Sequence, residues 1–369
     1  MKKIIVIGGG LAGLITSVKL IEAGIPCLLI EKKNYPFHRV CGEYISNEAK
    51  PFLESLGLFP HQFAPASINR LQLSAINGKS AMLDLDLGGF GISRYTYDQF
   101  VYEQAVKRGV EFQLNTEVES VAFENDKFLV KTSSERYEAD VVIGSFGKRS
   151  KLDLTMNREF VQKRSPYVGI KYHAKTNHND KLIALHNFPG GYCGINNVEG
   201  GKSNICYLTH RDGLRQQKNI QQFQEAIMFQ NPWLKSLFEE ATFLTGPETI
   251  NEISFETKSP VEQHILMAGD AAGMITPLCG NGMAMAIHSG KILAEHVTRY
   301  CREKNYSRAQ LEQDYANAWK QIFSARLWRG RHIQRLFGNE WASTFAVGLV
   351  KNSTWAARAI VRNTHGSAF

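Results

Sequence analysis

The sequence lacks the cysteine and histidine patterns of a metal protein. Its 369 residues include six cysteines, and no two of them form a Cys-x-x-Cys pair or another spacing typical of metal ligands. The eleven histidines form no His-x-x-His or His-Glu-x-x-His pattern. We therefore expect no metal centre, and the chemistry of the protein has to come from an organic cofactor or from its own side chains.

Long apolar runs are also missing. No stretch reaches the ~20 residues that a membrane-spanning helix requires, and the chain opens directly into a predicted strand without the apolar segment of a signal peptide. We therefore expect a cytoplasmic protein with free thiols. The hydrophobic fraction of 43% and the charged fraction of 21% are ordinary for a globular protein. A length of 369 residues suits two domains, or one domain inserted into another.

Acidic residues are scarce near the C-terminus. Residues 301–369 contain eleven lysines and arginines but only four aspartates and glutamates, so they carry most of the formal net charge of +8. The favoured interpretation is a solvated basic face on packed terminal helices. The alternative is a surface that contacts an anionic membrane or an acidic carrier, which would make the protein membrane-associated. No nucleic-acid-binding motif accompanies the charge, so nucleic acid is not an expected partner.

Glycines cluster in several turns, and two of these turns resemble nucleotide-binding loops; the first follows the N-terminal strand. The run "KKIIVIGG" is short, β-branched and bounded by glycines, which predicts a buried parallel strand. Gly8, Gly10 and Gly13 then fit the pattern G-x-G-x-x-G at the start of a predicted helix, where backbone amides bind a pyrophosphate. Glu31 ends the second predicted strand and can accept hydrogen bonds from a ribose. The predicted dinucleotide-binding residues are Gly8, Gly10, Leu11, Ala12, Gly13, Glu31 and Lys32.

The second glycine-rich turn is the stretch "GDAAGMITPLCGNGMAMAI" (269–287), which follows another short apolar strand. We predict that it leads into a helix whose N-terminal amides are redundant for NAD but useful for the longer FAD. In this interpretation the carboxylate of Asp270 binds vicinal hydroxyls; the alternative is that it caps its own helix. The predicted cofactor contacts in this turn are Gly269, Asp270, Gly280, Gly282 and Met283.

These motifs resemble those of the p-hydroxybenzoate hydroxylase-like flavoproteins, which include class A aromatic monooxygenases, flavin halogenases and geranylgeranyl reductases. The stretch "GDAAG…P…GNGM" is similar to the second FAD motif of that superfamily. Three further stretches are similar to its other FAD segments: "HRVCGEYIS" (38–46), "ISRYTYDQFVYEQAVKRG" (92–109) and "DVVIGSFGKRS" (140–150). The last one has Ser-Phe-Gly where the family usually has Ala-Asp-Gly or Ala-Ser-Gly, so no carboxylate role is carried over. The resemblance implies that FAD also contacts Arg39, Cys41, Gly42, Arg94 and Gly147.

The resemblance implies an α/β protein with a glutathione-reductase-type, Rossmann-like FAD-binding fold, an inserted β-rich substrate domain and C-terminal helices. The expected ranges are 1–70, 90–160 and 258–300 for the discontinuous FAD-binding domain, 71–89 and 161–257 for the substrate domain, and 301–369 for the helical region. Inside the substrate domain, the pattern predicts a hairpin that turns at Asn77-Gly78 and one helix near 219–240.

The motifs indicate a FAD-dependent oxidoreductase without naming its reaction. We favour a monooxygenase that uses NADH or NADPH and a flavin C4a-hydroperoxide to hydroxylate an aromatic or hydrophobic small molecule. The flavin carries the oxygen chemistry in such enzymes, so no protein nucleophile is needed. The alternative is a FAD-dependent reductase of the geranylgeranyl reductase type that acts on the C=C bonds of a lipid. A third alternative is a non-catalytic flavin-binding redox sensor.

The substrate pocket has weaker sequence signals than the cofactor site. We expect Tyr192, Cys193 and Pro277 to line it, although a buried tyrosine or cysteine in a strand more often belongs to the core. Lys171 could be compared with the catalytic lysine of the halogenases. No Trp-x-Trp-x-Ile-Pro motif accompanies it, so an ordinary strand lysine is the favoured interpretation. His186 could act as an acid or base, a role that lone histidines usually do not have.

Overall fold

A computed structural model describes residues 2–276, 280–334, 338–352 and 366–369 of the chain. The α-helices in these residues are α1 (Leu11–Glu22), α2 (Lys50–Ser55), α3 (Arg94–Lys107), α4 (Lys151–Thr155), α5 (Arg211–Arg215), α6 (Ile220–Ala226), α7 (Pro232–Glu240), α8 (Gly282–Arg302), α9 (Arg308–Gln334) and α10 (Glu340–Asn352). One candidate pocket residue from the sequence, Pro277, lies outside the described residues.

The β-strands form three sheets. In chain order they are β1 (Ile4–Ile7), β2 (Leu28–Ile30), β3 (Tyr44–Ser46), β4 (Ala66–Ser74), β5 (Ser80–Gly91), β6 (Glu111–Gln113), β7 (Val118–Glu124), β8 (Lys127–Thr132), β9 (Arg136–Ala139), β10 (Val141–Gly144), β11 (Tyr167–Lys175), β12 (Leu182–Phe188), β13 (Gly191–Asn197), β14 (Ser203–His210), β15 (Thr242–Phe243), β16 (Glu248–Asn251), β17 (Val261–Glu262) and β18 (Ile265–Met267).

The first sheet is mainly parallel and has the strand order β17-β18-β10-β1-β2-β6. Its edge strand β17 runs antiparallel to β18, and the other pairings are parallel. Every residue of β1 is buried, as its β-branched sequence predicts for a strand covered on both faces. A Cβ on Gly290 of α8 would lie 2.7 Å from the carbonyl oxygen of Ala12, so α8 crosses α1 at backbone distance. The predicted Rossmann-like α/β fold is confirmed.

The second sheet contains nine strands in the order β15-β11-β14-β13-β12-β4-β5-β3, with β16 also paired to β11. Strands β4 and β5 form the predicted hairpin, and Gly78 in its turn has φ of +82°, which favours glycine. Strand β4 runs through residue 70, where we expected a domain boundary. The other expected domain ranges stay predictions. Strands β7, β8 and β9 form a separate three-stranded meander.

The helix predicted near 219–240 is two helices, α6 and α7, and the prediction of one helix is wrong. Asn231 separates them because it precedes Pro232, and a residue before proline disfavours the α conformation. The Asn231 side chain accepts a hydrogen bond from Trp233 N at 3.0 Å and so caps α7. Its amide nitrogen also donates to Ser74 Oγ at 2.8 Å, which ties the cap to the sheet.

The C-terminal helices cover both sheets. In α9, Tyr315, Trp319 and Phe323 are buried in the same core as α1 and α8. In α10, Val347 and Val350 pack against the β4–β5 hairpin. The stretches of chain that the structure describes contain no helix long and apolar enough to cross a membrane.

Candidate functional site

The two glycine-rich turns lie next to each other, although they are far apart in the sequence. Gly10 is the N-cap of α1, and α8 begins at Gly282. Gly269 has φ of +60°, and a Cβ there would lie 3.0 Å from Ala12 and 3.6 Å from Ala286. The second turn therefore sits between the first turns of α1 and α8. Both helices bring unpaired N-terminal amides and a positive dipole end to one site.

Glu31 connects the end of β2 to the first glycine turn. One carboxylate oxygen accepts a hydrogen bond from Gly9 N at 2.6 Å, and the other accepts from Lys33 N at 3.0 Å. Arg39 Nη2 lies 3.9 Å from the same carboxylate. Because an ionised carboxylate has about four acceptor positions, Glu31 can hold the loop and still accept from ribose hydroxyls. Lys32, the next residue, is exposed.

Two guanidinium groups face the first glycine turn and share one buried carboxylate. Arg94 donates to both oxygens of Asp98, at 2.7 and 2.6 Å, and Arg39 Nε donates to Asp98 at 3.1 Å. Arg94 Nη2 is the heavy atom nearest to the position of a Cβ on Gly10, at 4.0 Å. Each guanidinium group has five N–H donors and uses only some of them on Asp98, so the others are suited to a pyrophosphate. Asp98 is not among the residues predicted from the sequence, although the Arg-x-x-x-Asp spacing on one helix signals it.

The Cys41–Glu43 corner is anchored to the second sheet by a buried ion-pair cluster. Glu43 is fully buried and has φ of +52°, which is unusual for a residue other than glycine. Its carboxylate lies 2.7 Å from Lys171 Nζ and 2.6 Å from His173 Nε2, and it accepts from Arg94 N at 2.9 Å. Lys171 is a strand lysine, as interpreted, but it is fully buried and ion-paired.

Asp270 lies in a short 3₁₀ turn, Gly269–Ala271, beside the cationic cluster. Burial raises the pKa of its carboxyl, and the nearby Lys258, Arg94 and Lys148 act in the opposite direction. Lys258 Nζ donates to the carbonyl oxygens of Asp270 at 2.8 Å and Lys148 at 2.7 Å, which joins two predicted FAD segments. Burial lowers the pKa of Lys258 to about 8. The N-cap of α8 is Asn281, so Asp270 does not cap that helix.

Three glycines of the predicted FAD segments have open space beside them. A Cβ on Gly42 or Gly147 would meet no heavy atom within 4 Å, and a Cβ on Gly10 would meet only Arg94. The carboxylates of Glu31 and Asp270 lie near the guanidinium groups of Arg39 and Arg94. This donor set and the available space fit FAD, which has a pyrophosphate and two polyhydroxyl segments.

We expect replacement of Asp270 by alanine to raise the dissociation constant for FAD about 10-fold or more, since a charge-assisted hydrogen bond contributes ~1.5–3 kcal/mol. The measurement is fluorescence titration of the apoprotein with FAD. Asp270→Asn, which keeps the size of the side chain, should weaken binding less. Unchanged FAD affinity in both variants would contradict a contact between Asp270 and the cofactor.

The expected substrate-pocket residues do not all lie together. Tyr192 and Cys193 are neighbours in β13, so their side chains point to opposite faces of the sheet. Tyr192 packs with Leu208 and Ile253, whereas Cys193 is buried in the core that contains Phe223 of α6. Burial raises the pKa of the Cys193 thiol well above its usual value. Cys193 therefore lies away from the face that meets the Cys41–Glu43 corner.

His186 is a buried neutral base. Its Nδ1 lies 2.8 Å from Ser74 Oγ, and its ring stacks on Trp233 with centroids 6.0 Å apart. Burial lowers its pKa from 6.5 to about 3. An imidazole that stays neutral at neutral pH lacks the second ring proton that a general acid would donate, so His186 is interpreted as a structural residue.

We expect acid to destabilise the protein through His186. Between its unfolded pKa of 6.5 and its folded pKa of about 3, the unfolded state binds more protons, so the free energy of unfolding falls as the pH falls. His186→Gln should make that decline shallower between about pH 6 and about pH 4. The measurement is urea unfolding of both proteins across this range, and an equally steep decline in the variant would contradict the assignment.

A cavity of about 260 Å³ opens between residues 163–167, residues 253–256 and the end of α9. Its apolar wall includes Tyr167 and Phe255, whose ring centroids are 5.5 Å apart. These two side chains belong to an apolar cluster that also contains Leu208 and Met274, and Met274 lies within the second glycine-rich turn. The cluster therefore joins the cavity wall to that turn.

The polar wall of the cavity is mainly cationic. Lys163, Arg164 and Arg331 line it together with Glu256, whose carboxylate lies 3.0 Å from Lys163 Nζ. Gln334 lines it too, and its buried side-chain oxygen has no hydrogen-bond partner among the described residues. An anionic ligand that also carries a hydrogen-bond donor would satisfy both features.

The sequence of this chain is similar to that of a known family and to that of a known reductase. The sequence pattern of the family described as FAD binding domain matches residues 1–312. The digeranylgeranylglycerophospholipid reductase of Methanococcus vannielii is 25% identical over 354 residues, which cover 86% of this chain and 82% of that protein.

Solved structures of flavoproteins share the fold. A geranylgeranyl bacteriochlorophyll reductase-like protein of Thermoplasma acidophilum has a TM-score of 0.79 at 18% identity, and the match covers 98% of this chain and 95% of that one. CmlS, a flavin-dependent halogenase, has a TM-score of 0.77 at 17% identity, covering 88% of this chain and 63% of its own. At these identities the likeness shows the fold alone.

Proposed function

We propose that this chain, which belongs to the FAD binding domain family, is a FAD-dependent reductase that acts on the C=C bonds of a polyprenyl lipid. The sequence motifs alone favour hydroxylation of an aromatic compound, with lipid reduction as the alternative. The similar protein of Methanococcus vannielii, matched over most of both chains, is named as a reductase of a digeranylgeranylglycerophospholipid. That similarity favours the alternative.

The observation that carries the proposal is the mixed lining of the cavity beside α9. Lys163, Arg164 and Arg331 provide positive charge at one wall, and Tyr167 and Phe255 begin an apolar cluster that reaches the second glycine turn. A substrate with an anionic head and an apolar chain matches this order of surfaces. A small neutral phenol offers no anionic group to this wall.

The chain's own residues would hold FAD at its phosphate and hydroxyl groups. We assign the pyrophosphate to the amides after Gly10 and to Arg39 and Arg94, and the hydroxyl groups to Glu31 and Asp270. The chemistry supplied by bound FAD would be hydride transfer from NADH or NADPH to the substrate. Reduction of each C=C bond would then consume one reduced nicotinamide and one proton.

Cys41 is our candidate for supplying that proton. Burial raises the pKa of its thiol, so the thiol is protonated at neutral pH. Glu43 N donates to Cys41 Sγ at 3.5 Å, and the ion pair of Glu43 with Lys171 fixes the corner on which the thiol is carried. The family resemblance implies that this corner borders the flavin.

The test is a single-turnover reaction without oxygen. The FAD-loaded protein is photoreduced anaerobically and mixed with a detergent-solubilised geranylgeranylated glycerophospholipid. We expect the flavin to be reoxidised and the lipid to gain the mass of one hydrogen molecule for each flavin turned over. Cys41→Ala should slow this step while leaving the absorbance of bound FAD unchanged.

Two outcomes would contradict the reductase proposal. One is reduced flavin that persists with the lipid. The other is reoxidation only after oxygen is admitted, with a hydroxylated aromatic product from a panel of phenolic ligands, which would restore the hydroxylase assignment. A flavin whose turnover is unaffected by any ligand would support the redox sensor.

A further inference from the structure

One face of α10 exposes large apolar side chains. Trp341, Phe345 and Leu349 recur at every fourth residue and are 78%, 60% and 41% exposed. The rings of Trp341 and Phe345 stack with their centroids 5.9 Å apart. A contiguous stripe of this kind marks an interaction surface, whereas single exposed apolar residues do not.

The opposite face of α10 fixes the orientation of this stripe. Ser343, Val347 and Val350 are buried, and the two valines pack with Leu83 and Leu85 of the β4–β5 hairpin. Because residues three and four positions apart share a face of a helix, the buried and exposed sets point in different directions. The helix therefore presents the stripe outward while the sheet holds it from behind.

The surrounding sequence is strongly basic. Residues 325–369 contain seven lysines and arginines and one acidic residue, Glu340. One of the seven, Arg326, is buried in an ion pair with Glu48 and does not add to the basic surface. Near the end of α9, Trp328 is 56% exposed, and its ring lies 4.0 Å from that of His332. Exposed tryptophan, phenylalanine and leucine beside basic residues are typical of helices that lie in the headgroup region of a bilayer.

We propose that the stripe Trp341–Phe345–Leu349 docks on an anionic lipid bilayer, with the basic residues of the C-terminal region contacting lipid phosphates. The charge argues for this occupant over a second copy of the chain. Two copies meeting through this face would bring two strongly basic regions together, whereas an anionic bilayer neutralises one.

Docking through α10 would also bring the bilayer close to the cavity. Gln334 lines the cavity at the end of α9, and α10 begins at Glu340. A chain of that length spans at most about 20 Å. A lipid could then enter the cavity without crossing bulk water. This consequence rests on the proposed function, whereas the docking itself does not.

The test is co-sedimentation of the FAD-loaded protein with vesicles. We compare vesicles of phosphatidylglycerol and phosphatidylcholine with vesicles of phosphatidylcholine alone. The wild type should bind the anionic vesicles and should be released by salt. The double variant W341E/F345E should bind them about tenfold more weakly or worse, because two anchors are lost and negative charge is added.

The matched control uses exposed apolar residues elsewhere on the molecule. Leu129 is 46% exposed and Leu154 is 56% exposed, and neither lies in α9 or α10. The double variant L129E/L154E adds the same two negative charges and should bind vesicles like the wild type. An equal loss in this control, or full binding by W341E/F345E, would overturn the proposal. A wild-type dimer that W341E/F345E abolishes, without vesicle binding, would assign the face to a second copy.

Activity separates this proposal from the reductase proposal. W341E/F345E should reduce a detergent-solubilised lipid at the wild-type rate and should be slow only on lipid embedded in anionic vesicles. If neither protein reduces any lipid, the reductase proposal fails, and the co-sedimentation result still decides the docking proposal.

Discussion

Replacing Glu43 with glutamine is expected to lower the free energy of unfolding by about 3–5 kcal/mol, the usual cost of removing one partner from a buried ion pair. Lys171 is fully buried, and its ammonium group lies 2.7 Å from the Glu43 carboxylate. Glutamine keeps the shape of the side chain but not its charge. The ammonium group of Lys171 would then remain buried with only the carbonyl oxygen of Arg39, at 3.1 Å, and a neutral amide as partners.

The loss should be recovered in part by a second substitution. Lys171→Met removes the buried charge that Glu43→Gln leaves unpaired, so the double variant should be more stable than the sum of the single variants predicts. The measurement is urea unfolding of the four proteins in a double-mutant cycle. Additive losses would contradict direct coupling between the two side chains.

An exposed ion pair provides the matched control. Lys151 Nζ lies 2.6 Å from Glu117, a distance close to that of the buried pair, but the Lys151 side chain is 69% exposed. Lys151→Met should change the stability little, because exposed pairs are screened by water and salt. If Glu43→Gln costs no more than this control, burial does not strengthen the Glu43–Lys171 pair.

The cofactor fold was predictable because its signals are local in the sequence. The strand before Gly8, the glycine spacing and the helix that follows occupy one short stretch, and the same is true of Gly269 and the helix that begins at Gly282. Each pattern needs only its own neighbours to form. We predict that the two turns are adjacent because one FAD molecule is long enough to use two helix N-termini.

The ion-pair cluster at Glu43 was not predictable because its partners are distant in the sequence. Lys171 and His173 lie 128 and 130 residues beyond Glu43. Both point toward Glu43 only because strand β11 places alternate residues on one face, which depends on the register of the whole sheet. The same alternation separates Tyr192 from Cys193, which the sequence analysis had grouped in one pocket.

The reaction could not be read from the cofactor motifs. Hydroxylation and C=C reduction both use a flavin that carries the redox chemistry, so neither imposes a protein nucleophile or a metal site. The residues that we propose to distinguish the two substrates are Lys163, Arg331 and Gln334, which line the cavity. These positions come from two separate regions of the chain and share no local motif.

Replacing Gly10 with alanine should abolish tight FAD binding without unfolding the apoprotein. Gly10 has φ of −82°, which any residue can adopt, and a Cβ there would meet only Arg94 Nη2, at 4.0 Å. That Cβ would enter the space that we assign to the pyrophosphate. We expect the FAD dissociation constant to rise about 100-fold or more, a loss of about 2.7 kcal/mol.

Gly13→Ala is the contrasting variant, because there the added atom meets protein. A Cβ on Gly13 would lie 2.1 Å from the carbonyl oxygen of Gly8 and 2.5 Å from Ser145 Oγ. Helix α1 would have to move away from β1, so the melting temperature of the apoprotein should fall together with the FAD affinity. Calorimetry of both apoproteins and FAD titration separate the two cases. If Gly10→Ala lowers the melting temperature as much as Gly13→Ala does, Gly10 is a packing residue and the pyrophosphate must bind elsewhere.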